Sequence, residues 1–381
     1  MTEKYFSVSD VGTFLACREK WDLSSPNRQS LRHNATPRMY LTQGTALHAA
    51  IDANAKTPDD IMVPLRAADD FLEAERKAKV EDIKRRTGFA PWPAEMVDWD
   101  DAADLTKKLV WQYFDHYGVE NPLADLSMEY IATEVPFKID ISDLVGIEDA
   151  YFVGTFDGIA RDDMSNLWLV ENKSYGQKPD LQDLMVHFQT TGYAVAWSML
   201  TGSALTGAIY NGITKKLIQE PRRLKDGSLS ADVRQQTTFS RYLKALLERG
   251  EDPANPKYEK ILSKLQEIER QGDTRFFYRE KFYFNDTQTE NWIREFVDIV
   301  NEMANEPRIY RTVSFKGCGP QGADCWWRDI CFAKHTGQDV QQLIDKGYSK
   351  GSYGTIEAVD GHESIMVTSI EELREALKSH V

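Results

Sequence analysis

The chain has 381 residues but no long apolar run. No segment approaches the roughly 20 apolar residues that a membrane-spanning helix needs. Its start, Met-Thr-Glu-Lys-Tyr-Phe-Ser-Val-Ser-Asp, lacks the basic and apolar regions of a signal peptide. These absences predict a soluble, cytoplasmic protein. Positive charge is also in deficit. The formal net charge is −14, which argues against a general nucleic-acid coat and against nonspecific membrane binding. An enzyme that grips DNA through a local basic strip is still allowed, because the distribution of charge counts for more than its total. There is no internal repeat and no low-complexity tract, and only four cysteines are present.

What is present reads as a folded globular protein: 41% hydrophobic residues, with 17 Phe, 16 Tyr and 9 Trp. The length suits one large elaborated domain, or a core domain with insertions.

Residues 151–173 carry the most chemical information. Two runs rich in β-branched and aromatic residues flank the polar cluster Asp162, Asp163, Ser165, Asn166, which predicts a β-hairpin. Positions 157 and 171 are equidistant from Met164, so a hairpin folded there sets Asp157 opposite Glu171. Lys173, two residues on, shares a face with Glu171. Opposed carboxylates repel unless something positive lies between them. A divalent metal would meet that need, with Lys173 beside it to hold a nucleophilic water. The hairpin alone leaves a second reading open, an ordinary solvated sheet face on which Lys173 neutralises Glu171.

The cysteines are Cys17 and then Cys318, Cys325 and Cys331 within one Gly-rich stretch. Cytoplasmic proteins rarely build disulfides, so the three clustered thiols predict metal or cofactor ligation. With Cys17 they would make a four-thiolate set, suited to an iron–sulfur cluster or to structural zinc. Cys17 taken alone reads as a buried helical cysteine. Two basic strips stand out. Arg76, Lys77, Lys79, Lys84, Arg85 and Arg86 interleave with Glu73, Glu75, Glu81 and Asp82 and read as a solvated helix face. Lys215, Lys216, Arg222, Arg223 and Lys225 have few nearby acids and are the candidate DNA contact.

The coarse organisation is α/β. Ser9 is the expected cap of a helix running through Val11, Phe14, Leu15 and Trp21, with Cys17 on or beside its apolar stripe. Further helices are expected from Thr42, containing His48, and at 66–86 and 100–117. Strands are expected at 127–138, 149–160 and 166–173, then a helix from Pro179 to about 200 and a strand at 205–213. A turn-rich excursion (217–235), a helix (236–271), a strand (274–283) and a helix (286–304) precede the cysteine loop. The last forty or so residues read as an appendage ending in a helix at 369–378.

His48 lies in a helical stretch of small neighbours that would let it approach a sheet edge, and a neutral imidazole suits Mn²⁺. Gln189 and Tyr193 share a helix face at i, i+4 and would hydrogen-bond a phosphate or orient Lys173. In order, Gly-x-x-x-His (44–48), Gly-x-x-Asp (154–157), Glu-x-Lys (171–173) and Gln-x-x-x-Tyr (189–193) resemble the RecB-like branch of the PD-(D/E)xK nuclease superfamily. With its cysteines placed before the first motif and near the end, the chain is similar to the iron–sulfur members. Those include CRISPR-adaptation nucleases, AddB-type nuclease domains and bacteriophage exonucleases, so a bacterial cytoplasm is the expected setting.

The resemblance implies a restriction-endonuclease-like core, a mixed β-sheet flanked by helices. It also implies helical insertions and a cysteine-ligated cluster joining the N- and C-terminal parts. It implies that residues 1–335 form the nuclease domain, with an insertion at about 217–300, and that 336–381 are a small appendage. His48, Asp157, Glu171 and the carbonyl of Asn172 would ligate Mg²⁺ or Mn²⁺. Lys173 would position the attacking water, and Gln189 and Tyr193 would support the site. Cys17, Cys318, Cys325 and Cys331 would hold a [4Fe–4S] cluster. The terminal spacing here, Cys-x₆-Cys-x₅-Cys, departs from the family's Cys-x₂-Cys-x₅-Cys and keeps zinc as the alternative. The implied activity is hydrolysis of phosphodiester bonds in DNA, by an exonuclease at single-stranded DNA or duplex ends, in recombination, replication or end processing. A catalytically silent DNA-end-binding or assembly subunit, braced by an iron–sulfur or zinc site, is the alternative.

Overall fold

The turn between the two hairpin strands is built by one side chain. Asp162 Oδ1 accepts from the amides of Met164 (3.0 Å) and Asn166 (2.8 Å), and its Oδ2 accepts from the indole of Trp168 (3.0 Å). The resulting strands pair Gly158 with Val170 and Arg161 with Leu167, so the hairpin is symmetric about Met164 as expected. The computed structural model describes residues 3–33, 39–176, 179–270, 275–305, 307–312, 318 and 325–351.

In chain order the elements begin with β1 (Lys4–Phe6), α1 (Val8–Ala16), α2 (Arg18–Ser24), β2 (Leu31–His33), α3 (Met39–Lys56), α4 (Met62–Thr87) and α5 (Pro93–Tyr117). The central part contains β3 (Met128–Asp140), α6 (Ser142–Val145), β4 (Ala150–Asp162), β5 (Leu167–Tyr175), α7 (Leu181–Met185), α8 (Phe188–Thr201) and β6 (Gly207–Thr214). Then follow α9 (Phe239–Glu248), α10 (Pro256–Arg270), β7 (Phe277–Tyr283), α11 (Asp286–Ala304), α12 (Arg328–Thr336), α13 (Val340–Gly347) and β8 (Tyr348–Lys350).

Six strands form one mixed sheet in the order β1-β4-β5-β6-β7, with β3 on the other edge of β4. β1–β4 and β5–β6 are parallel, and the remaining pairs are antiparallel. One face is covered by α8 and α11, through Trp197, Trp292 and Phe296 packed on Phe152 and Phe156. The opposite face is covered by α3 and α5, through Leu47, Ile51, Tyr113 and Phe114 packed on Ile213 and Phe277. Each such side chain, fully buried, is worth about 1.5–3 kcal/mol. This is the mixed sheet between helical layers expected of a restriction-endonuclease-like core. No helix among the described residues is long and apolar enough to cross a membrane.

Among the close approaches that call for glycine, two seat aromatic rings around the sheet. A Cβ on Gly192 of α8 would stand 2.4 Å from Cζ2 of Trp292, and one on Gly154 of β4 would stand 2.4 Å from Cζ of Phe137. Both distances are shorter than any side chain tolerates, so bare backbone is what lets these rings seat.

Several expected helices are broken where apolar periodicity alone runs on. The first is two helices, capped by Ser7 rather than Ser9, and Cys17 sits between them in extended backbone (φ −163°, ψ 108°) rather than on a helical stripe. The helix expected from 179 divides into α7 and α8 around His187, and that expected over 236–271 divides into α9 and α10. Within 217–300, β7 and α11 belong to the central sheet and its cover, whereas α9 and α10 close around their own cluster of Tyr242, Leu246, Tyr258 and Ile261. β8 pairs with β2, and Leu23, Leu31, Trp327, Ile330 and Tyr348 pack together. The helix expected at 369–378 and most of the loop around Cys318 lie outside the described residues.

Candidate active site

β4 carries β3 along one edge, while its other edge pairs with β1 at residues 150–152 and with β5 at 158–161. Between those two partners the edge is left open, and Asp157 stands at the end of the opening. The sheet forks here because β5 leaves β4 after Val170 and continues beside β6 as far as Tyr175. Asp157 fills the fork by accepting the Asn172 amide on Oδ2 at 2.9 Å. One strand thus contributes a carboxylate where a backbone carbonyl would otherwise stand.

The adjoining β5 residues complete the group. Glu171 is wholly buried. Its Oε1 pairs with Lys173 and accepts from Gln189 Nε2 at 2.8 Å, while its Oε2 is buried without a partner. Gln189 arrives from α8 on one side of the sheet and His48 from α3 on the other. α3 passes close enough that a Cβ on Gly44 would touch Ser174 Oγ at 3.5 Å. His48 Nε2 lies 3.0 Å from the Asn172 carbonyl oxygen, and Nδ1 lies 3.0 Å from Glu134 Oε1 and 3.7 Å from Asp157 Oδ1. Tyr193 is nearly buried between the rings of Phe137 and Phe156, at 5.5 and 5.7 Å, and packs over Gly154.

Electrostatics follow from this crowding. Burial raises the carboxyl of Asp157 above its ordinary range, and burial with Asp157 as neighbour raises that of Glu171. Burial works against charge on His48, but Asp157 and Glu134 outweigh it and bring the imidazole to about 9. For Lys173 burial is likewise overridden, by Glu171 and Asp157, and its pKa rises, so the ammonium stays charged. Burial and the same two acids push Tyr193 up, so it stays a neutral phenol.

A second set of polar groups braces the site from behind. Asn172 Oδ1 accepts from Asn211 Nδ2 (2.7 Å), which also donates to the Tyr113 hydroxyl (2.8 Å), and Arg279 Nε donates to Asn211 Oδ1 (3.0 Å). Neither this brace nor Glu134 is among the residues singled out by sequence motifs. Glu134 lies opposite Asp157 across the β3–β4 pair. The β3–β4 connection carries its own helix and the pairing a register shift between Tyr130 and Ala132, so no turn arithmetic could reveal that position. Among the described residues, His48, Glu134 and Asp157 form the one group of potential ligands close enough to share an ion, with donor atoms within 4.8 Å of one another.

The cysteines are not gathered into such a group. Cys17 Sγ accepts from the Thr312 amide at 3.4 Å. Burial raises the thiols of Cys325 and Cys331, with Cys318 and Cys17 acting on the first and Cys17 and Cys325 on the second. They are within electrostatic reach of one another, but no three described thiols converge on a single-ion position. Of the basic strips, the first is interlocked with acids as a solvated face should be: Arg76 with Asp100 at 2.8 Å, Lys77 with Glu73 at 3.7 Å and Arg85 with Asp82 at 2.6 Å. In the second, Lys216, Arg222, Arg223 and Lys225 are exposed and Lys215 is half-buried.

The sheet fork buries two carboxylates beside a half-buried lysine, with a histidine facing them, a set of groups able to take a divalent cation. No curated protein gives a significant match to the chain. The sequence model of the PD-(D/E)XK nuclease superfamily matches residues 5–332 and so spans the whole of this group. The chain belongs to the PD-(D/E)XK nuclease superfamily.

Proposed function

We propose that the chain is a metal-dependent deoxyribonuclease of the RecB-like branch. It hydrolyses phosphodiester bonds as an exonuclease at single-stranded DNA or DNA ends, in recombination, replication or end processing. The observation that carries this reading is Glu171, whose Oε2 is buried beside Asp157 with nothing to accept from. A buried acceptor left so costs about 1–3 kcal/mol, and a divalent cation supplies the missing partner. His48, Asp157, Glu171 and the Asn172 carbonyl are the residues to hold it. Three hard oxygen donors suit Mg²⁺, and the imidazole admits Mn²⁺. The bound ion supplies Lewis acidity toward a phosphate oxygen and lowers the pKa of a water.

The remaining work falls to the chain. Lys173, held by Glu171, keeps its proton and donates from Nζ to orient the attacking water and offset charge gathering on the phosphate. Gln189 fixes the Glu171 carboxylate from the α8 side, and Tyr193 seats α8 against Phe137 and Phe156. Lys215, Lys216, Arg222, Arg223 and Lys225 follow directly from the end of β6, whose Lys215 amide donates to the Tyr175 carbonyl at the end of β5. They are the proposed track for the DNA backbone.

For the cysteines the proposal is a [4Fe–4S] cluster on Cys17, Cys318, Cys325 and Cys331, joining the N- and C-terminal parts. Zinc, with sulfur at about 2.3 Å, would bring its thiolates within about 4 Å of one another. What supports a shared ligand is that Cys318 and Cys17 act on the Cys325 thiol, and Cys17 and Cys325 on that of Cys331, with zinc as the alternative to the cluster.

The test is anaerobic purification, a visible spectrum, and assays on linear and circular single- and double-stranded DNA with Mg²⁺ and Mn²⁺. Metal-dependent degradation of linear DNA, lost in Lys173→Ala, is expected. No metal-dependent cleavage, or equal cleavage by the variant, overturns the enzyme. Cleavage of circular DNA overturns only the exonuclease mode, and a colourless protein with stoichiometric zinc overturns only the cluster.

A further inference from the structure

Glu134 is held in a conformation that its residue type avoids. Its φ is +48° in the middle of β3, between Thr133 paired with Gly158 and Val135 paired with Phe156. A glutamate has neither the missing Cβ of glycine nor the short amide of asparagine that make this region accessible. Strain of this kind persists where the surroundings over-determine it, and it collects at functional sites. What the strained residue achieves here is contact with a histidine: Oε1 lies 3.0 Å from His48 Nδ1.

The two nitrogens of that ring face different partners. Nδ1 meets a carboxylate, which only accepts, so the Nδ1 position must carry a proton. Nε2 lies 3.0 Å from the Asn172 carbonyl oxygen, itself a group with lone pairs to offer. Asp157 does not compete for the Nδ1 proton, because its nearer oxygen is 3.7 Å away and its other oxygen accepts the Asn172 amide. Both nitrogens thus face acceptors, and with Nδ1–H held by Glu134 it is Nε2 that is left to give up its proton to a cation arriving beside the Asn172 carbonyl. Histidines that bind metals ordinarily donate their other N–H to a carboxylate in this way, which sets the tautomer and raises the basicity of the ligand.

We propose that Glu134 is a positioning residue of the metal site: by accepting the Nδ1 proton of His48 it aims Nε2 at the divalent cation that the Asn172 carbonyl shares. The inference rests on the metal-dependent reading above. It assigns the backbone strain at 134 to ligand orientation and places Glu134 outside the ligand set.

The test is Mn²⁺ binding to the full-length protein, followed by the electron paramagnetic resonance signal of free Mn²⁺ and needing no nuclease assay. Glu134→Ala is expected to lose about ten- to a hundredfold in affinity. Glu134→Gln, whose amide oxygen still accepts, should lose less. In a His48→Ala background the further change to Ala at 134 should cost no more than about twofold, because the residue acts only through the ring. Glu134→Gly separates role from fold: glycine relieves the left-handed backbone, so this variant should melt at or above the wild type while binding Mn²⁺ as weakly as Glu134→Ala. Wild-type affinity in either the Ala or the Gly variant overturns the proposal. So does an undiminished loss in the His48→Ala background, which would make Glu134 a ligand in its own right. A wild type that binds no Mn²⁺ overturns the metal-dependent reading, and this inference with it. Failure of the Glu134–His48 coupling alone leaves that reading standing.

Discussion

Arg279→Ala should expose how much the brace behind the site contributes to stability. The guanidinium is almost wholly buried on β7, with 4% of its side chain exposed. It donates to Asn211 Oδ1 at 3.0 Å, to the Tyr113 hydroxyl at 3.1 Å and to the Pro122 carbonyl at 2.7 Å, pairs with Asp125, and lies 3.5 Å over the Tyr117 ring. Truncation does not strand all of these equally. Asp125 is 48% exposed and rehydrates, so that end of the pair is worth well under about 1 kcal/mol. Tyr113 keeps a donor in Asn211 Nδ2. Asn211 Oδ1 is fully buried and, with the Pro122 carbonyl, loses its partner at about 1–3 kcal/mol for each orphaned acceptor.

Arg279 also lines a cavity of about 620 Å³, and water entering from it recovers part of that cost. The expected loss is therefore about 2–4 kcal/mol. An unfolding entropy of about 2.1 cal/mol/K per residue over 381 residues converts this to a fall of roughly 3–5 °C in Tm. Arg279→Lys should recover only part of it, since an ammonium cannot reproduce the planar fork, and Asp125→Asn should shift Tm by less than about 1 °C. Thermal and urea melts followed by circular dichroism measure all three. An Arg279→Ala protein that melts with the wild type, or an Asp125→Asn protein that loses as much as Arg279→Ala, refutes the reasoning that buried orphans rather than the ion pair dominate here.

Other expectations follow from separate features. Gly192→Ala forces a Cβ to within 2.4 Å of Trp292 and should cost about 1–3 kcal/mol by overpacking, read as a lower urea midpoint; an unchanged midpoint would mean that α11 gives way freely. Saturating Mn²⁺ at about 100 times its Kd should stabilise the wild type by about 2.7 kcal/mol, roughly 3–4 °C by the same conversion; Asp157→Asn should show no such shift, and an equal shift would place the ion elsewhere. His116 is held below its ordinary pKa by burial and by Arg279. The unfolded chain, whose histidine titrates near 6.5, therefore binds more protons in that window. Stability should be full above it and fall as pH drops through it. His187, lowered by burial too, adds a contribution of the same sign. His116→Phe should flatten part of the slope between pH 7 and 5 in denaturant titrations, and an unchanged slope would rule His116 out as a source.

The legible parts of this protein are those that local rules govern. Asp157, Glu171 and Lys173 could be placed together because a short turn centred on Met164 dictates which residues face one another. His48 and Gln189 were findable as motif residues, and the structure brings both to Glu171 and Asn172. The breaks at Cys17 and His187 were not legible. Apolar residues continue across both at helical spacing, and the breaks show only in the backbone, which is extended at Cys17 (φ −163°, ψ 108°) and at His187 (φ −67°, ψ 118°).

By itself, then, the sequence determined a hairpin that opposes two acids, a lysine on the same strand, and alternating helices and strands around it. Those follow from side-chain alternation and turn chemistry, which act over a few residues. Tertiary structure alone decided that β4 is left open at Asp157, that Glu134 reaches His48, and that Arg279 and Asn211 stand behind Asn172. Each of these depends on strands and helices distant in the chain meeting at one place. Backbone hydrogen bonding and burial of the two helical layers settle where that place is, and no local pattern encodes it.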